Sequence, residues 1–254
     1  NDTLLWHTAD LTLKTLLPLK PEMSRVAWDN TGSKILYQYT DPKTGERSLN
    51  IASPDGKDWK SIAPLGTKEF FLAPVPANML VSFWQRPGAR EKGSLNTVPL
   101  TGGTPKPILS DRFGADFLWS PLGDRILMSS TDPSHPGKSV LSLMNSSGGE
   151  LRTLDNASSF IGKATWSKNG RTIYYALPGS LPESTVLPND YYEKNLHSQD
   201  SFWRMDTENN KTERLVDLKD LTEAYDASEL FLSFKEDALY FIERKNQKLY
   251  RIEF

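Results

Sequence analysis

A fourteen-residue motif occurs three times in this chain, and its spacing restricts the folds that the sequence can adopt. The copies read VAWDNTGSKILYQY, FLWSPLGDRILMSS and ATWSKNGRTIYYAL, and they align on Trp28, Trp119 and Trp166. Trp119 and Trp166 are 47 residues apart, whereas Trp28 and Trp119 are 91 apart, close to twice that interval. Two weaker copies, Phe70–Gln85 and Leu230–Arg244, complete the series. A period of about 45 residues is typical of proteins built from sheet repeats.

Each copy has the composition of antiparallel strands. Short runs rich in β-branched and aromatic residues follow turns that carry Gly, Asn or Asp, which tolerate the backbone of tight hairpins. Two further strand-like runs follow most copies, such as SVLSLMN and GELRTLD after the Trp119 copy. Four antiparallel strands per repeat predict an all-β fold, a β-propeller of four-stranded blades.

The three tryptophans end the innermost strand of their blades. A large flat ring at this position fills the wedge-shaped space between neighbouring blades. We therefore predict that Trp28, Trp119 and Trp166 are core residues rather than platforms for a ligand.

The motif resembles the TolB-type repeat, also called the PD40 or WD40-like β-propeller repeat. The resemblance rests on Trp119–Met128 with Leu141–Leu154, and on Trp166–Tyr175 with Phe202–Leu215. Trp28–Tyr37 matches with an aspartate in place of the usual serine, whereas the two weaker copies lack both the tryptophan and the glycine. The family likeness implies six blades and a propeller that forms part of a larger bacterial envelope protein. It also implies an extracytoplasmic location, in the periplasm or at the cell surface, with membrane anchoring through a segment outside this sequence.

The repeats predict one propeller domain over residues 1–254. Its copies occupy 23–66, 67–111, 112–156, 157–219 with an insert at 178–200, and 220–254, with a partial copy in 1–22. Residues 1–20 read as the outer two strands of a blade, and KLYRIEF at the C-terminus reads as a third strand. A six-bladed ring completed by strands outside this sequence is expected. The alternative is five blades with one composite blade made from both ends of the chain.

Composition excludes several classes of function. The net charge is −2 and the sequence pI is about 6.0, so no electrostatic attraction to nucleic acid is indicated. The chain has no cysteine, which excludes disulfides, thiol catalysis and cysteine-ligated metals. No apolar run has the length that insertion of this segment into a membrane requires.

The sequence shows no catalytic, cofactor or metal constellation. The three histidines, His7, His135 and His197, fall in different predicted blades, and no G-x-S-x-G motif occurs. Carboxylates are dispersed along the chain, but four of them cluster in sequence near the last repeat, and these four are expected to be solvated turn residues. They are Asp226, Glu229, Glu236 and Asp237. The alternative is that two of them meet in the central channel and perform acid–base chemistry.

Two loops are the candidate interaction sites. The insert carries Tyr191, Tyr192 and His197, with Trp203 close behind it, and long loops with tyrosines suit recognition. The alternative is that Tyr191 and Tyr192 pack inward. The second loop, Trp84–Gly93, presents Arg86 and Arg90 to an acidic partner, or is a solvated hairpin.

The sequence therefore favours a non-enzymatic binding module, monomeric and without cofactor, that engages a protein partner. The alternatives are a glycan or peptide hydrolase that uses channel carboxylates, and the gating propeller of a larger peptidase.

Overall fold

Strands are the main elements of the computed structural model, which describes residues 7–10, 15–18, 22–193 and 196–254. Residues 7–10, 15–18 and 136 are described by their backbone alone. The strands are β1 His7–Asp10, β2 Thr15–Pro18, β3 Met23–Trp28, β4 Ile35–Thr40, β5 Arg47–Ala52, β6 Lys60–Gly66, β7 Phe71–Pro74, β8 Leu80–Trp84, β9 Lys92–Pro99, β10 Lys106–Phe113, β11 Asp116–Trp119, β12 Arg125–Asp132, β13 His135–Asn145, β14 Arg152–Thr153, β15 Ala164–Trp166, β16 Thr172–Pro178, β17 Asp200–Asp206, β18 Thr212–Arg214, β19 Ala227–Leu232, β20 Ala238–Glu243 and β21 Leu249–Glu253.

The helical elements are short. Among the described residues, one α-helix, α1, covers Asn189–Tyr192, and two 3₁₀ turns cover Ile161–Lys163 and Leu218–Asp220. None of the described helices has the length or the apolar character that crossing a lipid bilayer requires.

Consecutive strands pair into sheets in chain order. In the part of the chain that the structure describes, four sheets have four strands each: β3–β6, β7–β10, β11–β14 and β15–β18. Strands β19–β21 form a three-stranded sheet, and β1–β2 a two-stranded one. This arrangement confirms the predicted fold class, a β-propeller of four-stranded antiparallel blades. The number of blades stays a prediction.

The first turn of each strong repeat explains why the motif carries a glycine. Gly32, Gly123 and Gly170 have positive φ angles of 66°, 70° and 67°. Each donates its backbone N–H to the carbonyl three residues earlier. The weaker last copy makes the same turn with Glu236 at φ 59°, a conformation that costs more for a residue with a Cβ.

The chain divides into two compact units, residues 1–86 with 94–110 and residues 87–93 with 111–254. In the first unit, side chains of β3–β6 and β7–β10 form a shared apolar core that includes Leu36, Leu49 and Phe83. In the second unit, one core joins β11–β14 to β15–β18, and another joins β15–β18 to β19–β21. Each core is the apolar filling between two successive blades.

Two of the three tryptophans take their predicted place. Trp119 and Trp166 are 8% and 6% exposed, and the Trp166 indole N–H lies 3.4 Å from the carbonyl of Leu118 in the preceding sheet. Trp28 departs from the prediction, because it is 49% exposed. Trp166 is covered by the sheet before it. Among the residues that precede β3, by contrast, only Glu22 has a described side chain.

Candidate functional site

The insert at 178–200 leaves the end of β16 and returns at the start of β17. It therefore connects the second and third strands of its sheet, as the short turn between β12 and β13 does in the preceding sheet. In an antiparallel meander these connections lie at the same end of their sheets. We call the surface formed by the described side chains of residues 87–93, 132–135, 137–138, 178–193 and 196–200, all in the second unit, the insert face.

An aromatic and aliphatic cluster holds the insert against the sheets. The ring of Tyr191 stacks on Phe160, with 4.2 Å between ring centroids and 4° between ring planes. Leu187 and Leu196 are buried in the same cluster. The Arg244 guanidinium lies 4.1 Å from the centroid of the Tyr191 ring and donates to the Tyr191 carbonyl at 2.6 Å. The insert is thus a packed platform.

The loop at 87–93 contacts this platform. The Asn189 side-chain oxygen accepts a hydrogen bond from the Ala89 backbone at 2.8 Å. A Cβ at Gly88 would lie 3.0 Å from the Asn189 amide, and one at Gly114 would lie 2.9 Å from Pro188, so glycine permits both close approaches. The structure therefore brings together two loops that the sequence presented as separate candidates.

The predicted interaction residues of the insert have different environments. Tyr191 is only 6% exposed, so this residue follows the inward-packing alternative. Tyr192 is half-buried, and its hydroxyl donates to Asp116 at 3.3 Å. The His197 side chain is 55% exposed, and its Nδ1 lies 3.2 Å from Asp226 Oδ2.

The other three predicted residues belong to elements other than the insert. Trp203 belongs to β17, where its indole donates to Ser201 at 2.9 Å and packs under the Arg214 guanidinium. Arg86 belongs to the first unit, with its guanidinium 3.7 Å from the centroid of the Phe71 ring. Arg90 is exposed on the loop that contacts the insert.

A buried ionic cluster lies beneath the insert face. Lys163 is fully buried, and its Nζ lies 2.5 Å from Asp200 Oδ2 and 2.6 Å from Asp226 Oδ1. Ser198 donates to Asp200 at 2.7 Å, and Arg244 Nη1 lies 3.1 Å from the second Asp226 oxygen. The cluster joins the insert to two sheets, because Lys163 precedes β15 and Asp226 precedes β19.

The two carboxylates respond differently to this environment. Burial raises the pKa of Asp200, and the nearby Lys163 and Ser198 offset that effect only in part. Burial also opposes the ionisation of Asp226, but Lys163, Arg244 and His197 together hold its pKa below the usual value. The stronger desolvation of Asp200 and the second cation beside Asp226, Arg244, account for the opposite directions of the two pKa shifts.

The expectation that Asp226 is a solvated turn residue is wrong, since Asp226 is 3% exposed. Its carboxylate partner is Asp200, which the sequence analysis did not single out. The other three acidic residues do not join them: Glu229 is exposed, Glu236 accepts from the Lys168 backbone, and Asp237 accepts from Ser233. A lysine inside the apolar run FIGKATW is the signal that could have indicated a buried charge.

The geometry of these polar groups does not match a catalytic relay. Lys163 holds both Asp200 and Asp226 in its contacts, which leaves no gap for a substrate bond between the two carboxylates. At the other end of the insert face, Ser134 and Asp132 both contact the same His135 nitrogen, Nδ1. A serine–histidine–aspartate relay needs one partner on each ring nitrogen.

Asp132 instead organises a turn. Its carboxylate accepts from the Ser134 hydroxyl and backbone and contacts His135, and these interactions lower its pKa to about 2. The charged carboxylate therefore fixes the hairpin between β12 and β13. Within the described residues, no group of three or more histidine, aspartate or glutamate side chains has the arrangement of a metal site.

An open pocket of about 470 Å³ lies on the insert face, between the 132–138 hairpin and the first part of the insert. Its apolar side includes Phe160, Leu181 and Leu187, and its polar rim includes Lys138 and Glu183. The volume falls in the range of about 300–1,000 Å³ that is usual for ligand sites.

Comparison with known proteins gives the fold and no closer relative. No protein-family model matches the chain, and no curated protein matches it. TolB from Acinetobacter baumannii is similar in structure, with 16% identity and a TM-score of 0.59 over 87% of this chain and 50% of that chain. This chain therefore spans half the length of that TolB.

Two further solved structures are similar over nearly all of the chain. Oligogalacturonate lyase from Vibrio parahaemolyticus has 11% identity and a TM-score of 0.64, over 98% of this chain and 71% of that one. The β-propeller domain of the Trilobed protease from Pyrococcus furiosus has 9% identity and a TM-score of 0.62, over 97% and 73%. At these identities the likeness concerns architecture, and the chain has the fold of TolB-like β-propellers.

Proposed function

We propose that this chain is a non-enzymatic binding propeller that engages a protein partner through the insert face. The observation that carries the proposal is the packing of the insert. Tyr191, Asn189 and the Lys163 cluster attach it to the sheets and to the 87–93 loop, so its outer surface is preorganised. A preorganised surface loses little conformational entropy when it binds.

The polar chemistry supports binding over hydrolysis. Asp200 and Asp226, the carboxylates that lie closest to a catalytic pair, are saturated by Lys163, Ser198 and Arg244. A gating role in a larger peptidase would use the same surface for substrates that pass to another domain, and the experiment below distinguishes it by the identity of the captured molecule.

The family resemblance supports the setting of this function. The strong repeats match the TolB-type, or PD40, pattern, and TolB from A. baumannii shares the fold. We propose that the chain belongs to a six-bladed propeller, that this propeller is part of a larger bacterial envelope protein, and that it works outside the cytoplasm.

Paired surface variants test the proposal. Arg90→Glu and Val186→Asp change exposed residues of the insert face, whereas Lys211→Glu and Leu122→Asp make the same kinds of change on exposed turns elsewhere in the second unit. Each protein is immobilised and used to capture proteins from an envelope extract of the source organism, with quantification by mass spectrometry. We expect one captured protein to be lost with the first pair and retained with the second. Equal capture by all four variants, or equal loss, would overturn the proposal.

A further inference from the structure

The pocket of the insert face has two walls that come from different parts of the chain. The hairpin wall includes Gly137 and Lys138, and the insert wall runs from Pro178 to Leu187. A Cβ at Gly137 would lie 3.3 Å from the Thr185 carbonyl, and one at Gly179 would lie 2.8 Å from the Gln199 carbonyl. Gly137 lets the hairpin approach the insert, and Gly179 lets the two ends of the insert approach each other, so the pocket is a consequence of the way the insert is seated.

Opposite charges occupy the two walls. Lys138 is exposed on the hairpin, and Glu183 is exposed on the insert. Across the part of the chain that the structure describes, neither side chain forms a salt bridge or a hydrogen bond. Asp132, the carboxylate of the same hairpin, already accepts a hydrogen bond from Ser134 and contacts His135. An ammonium and a carboxylate are therefore available to a ligand at opposite sides of one pocket.

The floor between these charges is apolar. Phe160 and Leu187 are almost fully buried and belong to the cluster that holds Tyr191, so the floor is supported from below. Leu181 packs against the same cluster and is half-buried. Removal of an apolar side chain from water provides affinity at such a floor, while flanking charges select the ligand.

We infer that this pocket binds a short peptide segment in which an apolar residue lies between a basic and an acidic residue. The basic side chain pairs with Glu183, the acidic one with Lys138, and the apolar side chain covers Leu181, which packs on the buried cluster of Phe160. The inference deepens the proposed function and rests on it, since it names the part of the protein partner that the insert face recognises.

Four blocked tripeptides test the charge arrangement in the full chain: Ac-Lys-Leu-Asp-NH2, Ac-Asp-Leu-Lys-NH2, Ac-Lys-Leu-Lys-NH2 and Ac-Asp-Leu-Asp-NH2. Isothermal titration calorimetry at fixed salt measures each affinity. The unaltered protein is expected to prefer one of the two mixed-charge peptides by about tenfold over the two single-sign peptides, because like charges face each other in the latter complexes. Replacement of leucine by serine in the preferred peptide is expected to abolish measurable binding.

Single charge reversals then move the preference in opposite directions. Lys138→Glu makes both walls acidic and should make Ac-Lys-Leu-Lys-NH2 the best ligand, whereas Glu183→Lys should make Ac-Asp-Leu-Asp-NH2 the best. The matched controls are Lys211→Glu and Glu46→Lys, which change the net charge equally at exposed sites outside the pocket. The controls should retain the preference for a mixed-charge peptide.

Several results would overturn the inference: no peptide binds, all four bind alike, or the control variants shift the preference as much as the pocket variants do. The capture experiment above keeps the two proposals distinguishable. Loss of capture with the insert-face pair, together with indifference to the peptides, rejects the pocket and retains the binding face. Charge-dependent peptide binding with unchanged capture retains the pocket and rejects the face as the site of the protein partner.

Discussion

The two blade boundaries of the second unit are built from different chemistry. Between β11–β14 and β15–β18 the filling is apolar, with Leu127, Leu143, Trp166 and Ile173 in one cluster; we call this boundary the apolar seam. Between β15–β18 and β19–β21 an apolar core with Phe202 and Phe241 is accompanied by the ionic cluster centred on Lys163. We call this second boundary the ion-bridged seam.

The difference follows from the insert. The apolar seam uses positions that recur in every strong repeat, so hydrophobic burial alone specifies it. The ion-bridged seam must also fix an insert that no other repeat has, and it does so with buried charges whose hydrogen bonds have fixed directions. Such a cluster contributes more to the position of the insert than to net stability, because desolvation offsets much of the attraction between its charges.

The largest expected effect comes from removing the shared cation of the ion-bridged seam. Lys163→Met leaves Asp200 and Asp226 buried without the ammonium that both contact, and we expect a loss toward the upper end of about 3–5 kcal/mol in the free energy of unfolding. Urea denaturation at pH 7 measures it. The control Lys211→Met changes an exposed lysine and should alter stability by less than about 0.5 kcal/mol. Equal effects of the two variants would show that Asp200 and Asp226 do not depend on the Lys163 ammonium for their burial.

The apolar seam is tested with its tryptophan. Trp166→Ala should cost about 3 kcal/mol, because a 6% exposed ring leaves a cavity between two sheets. Trp28→Ala removes the same side chain at the same register position, opposite Ile35 as Trp166 is opposite Ile173. It should cost much less, since Trp28 is 49% exposed. Thermal unfolding of both variants gives the comparison, and a larger loss for Trp28→Ala would mean that its surroundings are tighter than the structure describes.

The sequence predicts a seam well when the residues that form it belong to the repeated pattern of neighbouring strands and turns. Trp119, Trp166 and the turn glycines stand in a repeated pattern, and each reports on its own strand and turn, so the sheets and the apolar seam follow from them. Trp28 has the same local pattern, but its burial depends on residues from another part of the chain, which the pattern does not contain.

The ionic cluster depends on contacts between residues that are distant in sequence. Lys163, Asp200 and Asp226 are separated by 37 and 26 residues, and no spacing rule for loops predicts that they meet. The same holds for the contact between Asn189 and Ala89, which joins two loops 100 residues apart. The sequence therefore identified the insert as a candidate site. Its attachment and its pocket depend on contacts between distant residues, which only the folded structure shows.

Acid titration sharpens the comparison inside the ion-bridged seam. The pKa of Asp226 is lowered in the folded protein, so its stabilising effect is present above the unfolded value of about 3.9 and disappears as the pH falls through the lower folded value. The pKa of Asp200 is raised, so its contribution is complete below about 3.9 and is lost as the pH rises through the folded value.

Variants of the two carboxylates should therefore change the pH dependence of stability in opposite directions. Asp226→Asn should have a lower free energy of unfolding than the unaltered protein at pH 7, and this difference should shrink in acid. The free energy of unfolding of Asp200→Asn should rise relative to that of the unaltered protein as the pH rises from about 4. Urea denaturation between pH 3 and 7 measures both differences, and parallel curves for the two variants would contradict the opposite shifts.

The smallest effect is expected from an ion pair in the same sheet that lies at the surface. Arg204 in β17 and Glu213 in β18 are cross-strand partners, with Arg204 Nη2 2.8 Å from Glu213 Oε2 and both side chains more than one third exposed. Because water solvates both groups, Glu213→Gln should cost at most about 1 kcal/mol and should cost less at high salt. Urea titrations at two concentrations of sodium chloride provide the measurement, because the other common denaturant, guanidinium chloride, is itself a salt. A loss as large as that of Lys163→Met would mean that burial is not what separates the ionic cluster from ordinary surface pairs. The distances in the two sites are similar, whereas Lys163 is fully buried between two carboxylates and Arg204 is exposed beside one.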